Sequence, residues 1–206
     1  VAILLFHLEV AKFSGGFIGV DVFFVISGFL ITRIIVSSLE AGRFSFKDFY
    51  IRRSARILPA LVATVGLVLP VAMYLQQPAA LVHTAQEGVF ALLSLSNFFY
   101  WTESSYWAPA AEQYVLLHTW SLGVEEQFYL VYPLLLAFVH RIAGVRGLTL
   151  LLFGLAILGT AANEAVLRVD RPAAFFFTPL RFYEFAFGGL VAMLPGFTAL
   201  QRSSRI

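Results

Sequence analysis

The stretch ILPALVATVGLVLPVAMYLQ, Ile57–Gln76, runs for 20 residues without a charged side chain. A helix needs about 20 apolar residues to cross the hydrocarbon core of a bilayer, so this stretch is long enough to span one. Immediately ahead of it stands FYIRRSAR, Phe49–Arg56, a basic flank of the kind that stays on the cytoplasmic side. The rest of the chain has the same character. Of its 206 residues 60% are hydrophobic, 16% aromatic and only 13% charged, with a mean hydropathy of +0.84. A soluble domain carries about 25% charged residues and needs them to cover its surface. The excess apolar area therefore faces lipid, which excludes a disordered chain, a nucleic-acid-binding domain and a secreted disulfide scaffold. The formal charge of +2 and the pI near 9.1 come from clustered basic residues that carry topology. With no Cys there is no thiol nucleophile and no Cys-based metal site.

By the same length rule the chain reads as all-α, a polytopic transmembrane helix bundle with one partial and up to six complete spans. The partial span is 1–13, interrupted by His7 and Glu9; the complete ones are 17–36, 57–76, 81–101, 120–140, 148–167 and 175–194. The chain opens inside an apolar run with no initiator Met or cleavable signal pattern, so it is expected to be a fragment that begins mid-helix. The connection between Arg33 and Arg56 holds six basic residues against Glu40 and Asp48, which predicts a cytoplasmic loop. The connection from Thr102 to Thr119 contains Glu103 and Glu112 and no Lys or Arg, which suggests the outer side. Strict alternation would put it inside. Either the segment at 81–101 is re-entrant or the charge rule does not govern this end, and the topology of the second half stays open.

Ionisable groups inside spans cost roughly 2.5–3.5 kcal/mol each on insertion scales, so each needs a reason to be there. His7 is suited by its ordinary titration range to take a proton at neutral pH, or it is a buried packing histidine. Asp21 follows a glycine pair at 15–16 and either caps its helix or serves the chemistry. Arg52, Arg53 and Arg56 stand at the membrane surface. Arg53 and Arg56 share a helix face, where forked guanidiniums can clamp phosphate, or the group is a positive-inside anchor. In HTWSLGVEEQ, His118–Gln127, a helix sets His118 and Glu125 within about 20° of each other, with Ser121 close by. A carboxylate beside an imidazole orients it and stabilises its cation. Glu125 and Glu126 point apart, so only one can share that face. Arg181 and Glu184, one turn apart, read as a self-satisfied ion pair.

Taken in order, these blocks resemble the acyltransferase 3 family of bacterial membrane O-acyltransferases. The resemblance rests on His7 followed by GGFIGVDVFFVISGFLIT at 15–32, on FYIRRSARILPA at 49–60, on LSNF at 95–98, on HTWSLGVEEQFY at 118–129 and on RFYEF at 181–185. It covers roughly 1–195, so the whole of 1–206 is expected to form one membrane acyltransferase domain. The resemblance implies a ten-helix bundle, of which this chain would be the N-terminal and central part, truncated at both ends. The last helices and any extracytoplasmic C-terminal domain would lie elsewhere.

The resemblance also implies transfer of an acyl group, acetyl in the first place, from acyl-CoA to a hydroxyl of an envelope or exported glycan. Arg52, Arg53 and Arg56 would hold the CoA phosphates, with the R-x-x-R pair Arg53 and Arg56 central. His7 would act as general base or carry the acyl group briefly. Asp21, His118 and Glu125 would orient groups or relay protons. The expected partners are the lipid bilayer, acyl-CoA and a glycan or lipid-linked sugar, lipopolysaccharide included, in the inner membrane of a bacterium. No metal and no nucleic acid is implied. The alternative readings are a transporter or flippase whose buried charges line a substrate path, and an inactive truncated paralogue.

Overall fold

A computed structural model describes residues 18–104 and 114–194, and within them the chain is helical, with no strand. The helices are α1 (Ile18–Glu40), α2 (Phe46–Leu75), α3 (Pro78–Leu92), α4 (Ser96–Glu103), α5 (Thr119–Leu167), α6 (Arg171–Phe176) and α7 (Phe182–Ala192), with a 3-10 turn at Thr178–Arg181 before the last. Three of them, α1, α2 and α5, are long and apolar enough to cross a membrane. This is the helical membrane architecture expected from the composition. The partial first span at 1–13, and His7 with it, lies outside the described residues.

The expected spans and the helices differ where the backbone breaks inside an apolar run. α2 starts at Phe46, capped by the Ser45 side chain on the Asp48 amide. It therefore carries Arg52, Arg53 and Arg56 within its own body. α5 covers 49 residues, yet Gly144 adopts φ 61 and ψ −158 inside it, so it is two helices joined at a kink. A straight helix of that length would run about 74 Å, more than twice the roughly 30 Å hydrocarbon core. The break at Gly144 accounts for the two spans expected at 120–140 and 148–167. The span expected at 81–101 is split into α3 and α4, and that at 175–194 into the end of α6, the 3-10 turn and α7. A hydropathy average over a whole span does not register such breaks, because the few polar residues in them, Ser94, Thr178 and Arg181 among them, are outweighed by the apolar residues on either side.

The chain divides into two compact units. In the one built from the described parts of 1–44, 132–165 and 179–206, α1 packs on α7 through glycine. A Cβ at Gly28 would sit 2.1 Å from the Phe185 carbonyl oxygen, and one at Gly188 would sit 1.9 Å from that of Val25. Phe24 stacks on Phe185 at 4.8 Å between ring centroids. Thr32 and Tyr132 share a hydroxyl hydrogen bond in the same buried zone. The other unit comprises 45–131 and 166–178. Its apolar centre joins Leu61 and Val65 of α2 to Ala91 of α3 and to Leu116, just ahead of α5.

Two helices end in the same way. After α1, the Arg43 amide donates to the Ser38 carbonyl at 2.9 Å and the Gly42 amide to that of Leu39 at 3.0 Å, with Gly42 at φ 64. After α3, the Leu95 amide donates to Phe90 at 2.8 Å and the Ser94 amide to Ala91 at 3.0 Å, with Ser94 at φ 59. Both are Schellman motifs, in which the left-handed residue is usually glycine. At the second site it is a serine.

Candidate active site

A cavity of about 390 Å³ opens in the unit formed by 45–131 and 166–178. Its first wall is the α2 face of Tyr50, Arg53, Ser54, Ile57 and Leu58, the spacing of a single helical stripe. Its second wall is the break between α3 and α4, residues Leu93, Ser94 and Leu95. Its third is α5, through Glu126, Gln127, Tyr129 and Leu130.

Arg53 is fixed by aromatic rings. Its guanidinium lies 5.3 Å from the Tyr129 ring centroid and 5.8 Å from that of Phe49, positions where a cation meets the negative face of a ring. The Tyr50 hydroxyl donates to the Leu130 carbonyl at 2.9 Å and ties the first wall to the third. The two neighbouring carboxylates diverge as their positions on a helix require. Glu125 is buried and accepts from the Tyr129 hydroxyl, whereas Glu126 accepts from the Ser94 hydroxyl on the cavity wall. Gln127 braces the break from behind. Its side-chain amide donates to the Ser94 carbonyl at 2.7 Å and to the Asn97 side-chain oxygen at 2.8 Å, and its oxygen accepts from Thr178. Asn97 donates in turn to the Phe176 carbonyl at 3.0 Å and to the Thr178 hydroxyl at 2.9 Å. The interrupted helix thus has the Ser94 and Leu95 amides and the Ser94 carbonyl paired within the protein.

The remaining candidates are distributed as follows. Arg52 and Arg56 are exposed on α2 and are not among the residues that line the cavity. His118 is exposed at the position that precedes α5, where its carbonyl accepts from Ser121. Asp21 belongs to the other unit, where it meets Arg181 at 3.1 Å. Arg181 also holds Glu184 at 2.7 Å, and both members of that pair are buried. Sequence reasoning did not single out Ser94, Glu126, Gln127 or Tyr129. Three of these lay inside the quoted 118–129 block; for Ser94, only its position between two apolar runs was visible.

A second polar cluster in the same unit surrounds Glu87, which has no exposed surface. It accepts from the Tyr100 hydroxyl and the Leu116 amide, each at 2.8 Å, and faces His83 at 3.4 Å. His83 also reaches Glu103, at 3.6 Å. Among the described residues no group of three His, Cys, Asp or Glu side chains is arranged to hold a metal ion.

A helical membrane protein whose cavity lining includes a ring-stacked arginine and a carboxylate is the class that the fold and site define. The chain belongs to the family described as an acyltransferase domain, whose family model matches residues 2–206. Among its relatives is O-acetyltransferase OatA of Staphylococcus aureus, 30% identical over 197 residues, which cover 94% of this chain and 32% of that protein. Peptidoglycan O-acetyltransferase OatA of Listeria monocytogenes is 31% identical over 206 residues, 97% of this chain and 33% of that protein. An uncharacterized protein of Haemophilus influenzae is 35% identical over 181 residues, 84% of this chain and 73% of its own length. The chain spans about a third of the length of the two OatA relatives. No solved structure matches it.

Proposed function

We propose that this chain forms part of a membrane O-acetyltransferase, which moves an acetyl group from acetyl-CoA to a hydroxyl of a cell-envelope glycan in the inner membrane of a bacterium. The observation that carries this reading is Arg53. The R-x-x-R segment delivers it to the wall of a cavity, stacked on two rings and facing a space large enough for part of a small molecule. A guanidinium held in that way is suited to a phosphate of the donor, with Arg52 and Arg56 supplying further charge at the same helix end. His7 takes the proton of the acceptor hydroxyl as its oxygen attacks the thioester carbonyl. The carbon–sulfur bond breaks, and the proton passes to the departing CoA thiolate. Glu125, Asp21 and His118 act indirectly, by orienting neighbours and balancing charge. The name of the Listeria relative makes peptidoglycan the first acceptor to test, ahead of lipopolysaccharide or an exopolysaccharide.

The test uses the full-length protein in membranes, with isotope-labelled acetyl-CoA and base-labile label in extracted glycan as the readout. Native protein is expected to transfer label and His7→Ala to abolish transfer. Arg53→Ala should raise the KM for acetyl-CoA about tenfold, the loss expected for one charge-assisted contact. Absence of label from native membranes with every envelope glycan offered overturns the reading.

A further inference from the structure

We infer that Glu126, steadied by Ser94, binds the acyl donor by accepting an amide N–H of its pantetheine arm. The inference rests on the acyl-transfer reading above and adds a donor contact outside the R-x-x-R segment. Its first support is the serine at 94. The helix end after α1 shows what this motif needs, a glycine at positive φ with open space around it. Ser94 takes the same conformation against the preference of an L side chain. What the side chain gains there is one contact, a hydroxyl hydrogen bond to Glu126 on the cavity wall. Backbone held in a disfavoured region persists where the surroundings over-determine it, and such positions cluster at ligand sites. Here Gln127 and the two Schellman hydrogen bonds supply the constraint.

The second support comes from counting lone pairs. Gln127 uses both of its amide hydrogens and its oxygen on Ser94, Asn97 and Thr178, so it offers a ligand nothing. Glu125 is engaged by Tyr129. Among the described residues, the only protein hydrogen bond to Glu126 comes from Ser94, and that bond uses one carboxylate oxygen. The cavity therefore presents a cation on α2, an acceptor on α5 and an apolar lining of Ile57, Leu58, Leu93 and Leu95. A pantetheine arm has that composition: methylene and methyl groups interrupted by amide N–H donors, with a phosphate at its far end. A sugar would need polar partners on every side, whereas Ile57, Leu58, Leu93, Leu95 and Leu130 make much of this lining apolar.

The experiment measures acyl transfer by the full-length protein with three donors: acetyl-CoA, acetyl-pantetheine and S-acetyl-2-mercaptoethanol, the last without amides. Glu126→Ala is expected to raise the KM for the first two about tenfold with kcat within about threefold, and to leave kcat/KM for the third unchanged. Ser94→Gly keeps the turn in its preferred residue and should raise the same two KM values by about threefold through the loosened carboxylate. An unchanged donor KM in Glu126→Ala overturns the inference, as does a rise confined to the KM of the acceptor glycan. An equal loss with all three donors overturns it too. If native protein transfers nothing from acetyl-CoA, the acyl-transfer reading itself falls, which is a different result from a native enzyme indifferent to Glu126.

Discussion

Arg53 and Glu87 show how differently two ionisable side chains can be accommodated in an apolar chain. Arg53 keeps part of its surface exposed and lies over two rings, so its value depends on a planar cation. Arg53→Lys keeps the charge and loses the stacking. It should raise the donor KM several-fold, less than Arg53→Ala does, in the same transfer assay. Glu87 is enclosed and serves as a hub for Tyr100, the Leu116 amide and His83. Glu87→Ala should cost about 2–4 kcal/mol by leaving those donors buried without an acceptor, read as a lower melting temperature in detergent. The basic segment was legible in the sequence, whereas its division was not: Arg53 lines the cavity, and Arg56, three residues on, is exposed and does not. The separate environments of Glu125 and Glu126 were legible only as a divergence. What each one meets depends on Tyr129, a local partner, and on Ser94, a distant one.

Glycine decides how closely α1 and α7 approach. With the Phe185 carbonyl 2.1 Å from a Cβ at Gly28, and the Val25 carbonyl 1.9 Å from one at Gly188, either alanine substitution must displace backbone. Gly28→Ala and Gly188→Ala are each expected to destabilise by about 1–3 kcal/mol or more. Gly66 in the body of α2 has nothing within 4 Å of such an atom. Gly66→Ala should instead stabilise by about 1 kcal/mol through helix propensity, and thermal melting of the three purified variants separates the cases. Ser27 and Gly28 are adjacent small residues, a pattern that lets two membrane helices approach closely. The helix breaks were not legible in advance. A run such as ALLSLSNFF, 91–99, has the hydropathy of a span, and the turn within it is set by a Schellman closure and the Gln127 brace. Gly144 gives a similar lesson: many glycines lie in helices here, and only backbone geometry distinguishes the one that interrupts α5.

The charge pattern of the chain predicts its orientation, and the absence of Cys makes that prediction simple to check. Arg43, exposed in the turn between α1 and α2, can be replaced by Cys as the sole thiol of these 206 residues. A membrane-impermeant maleimide should label Arg43→Cys in inverted vesicles and fail to label it in intact spheroplasts, since a loop this basic stays in the cytoplasm. Composition made the membrane class plain because large side chains such as Leu67 and Leu150 stay more than 70% exposed after folding and must meet lipid. It could not reveal that Asp21 and Arg181, 160 residues apart, would close on each other. That separation has a consequence for biosynthesis. At ribosomal speed Asp21 is made roughly 10–30 s before its arginine, and until then α1 lacks both that partner and the helix that packs on its glycine. The ion pair is thus a late latch on assembly. A nascent chain halted anywhere before Arg181 leaves Asp21 without this partner.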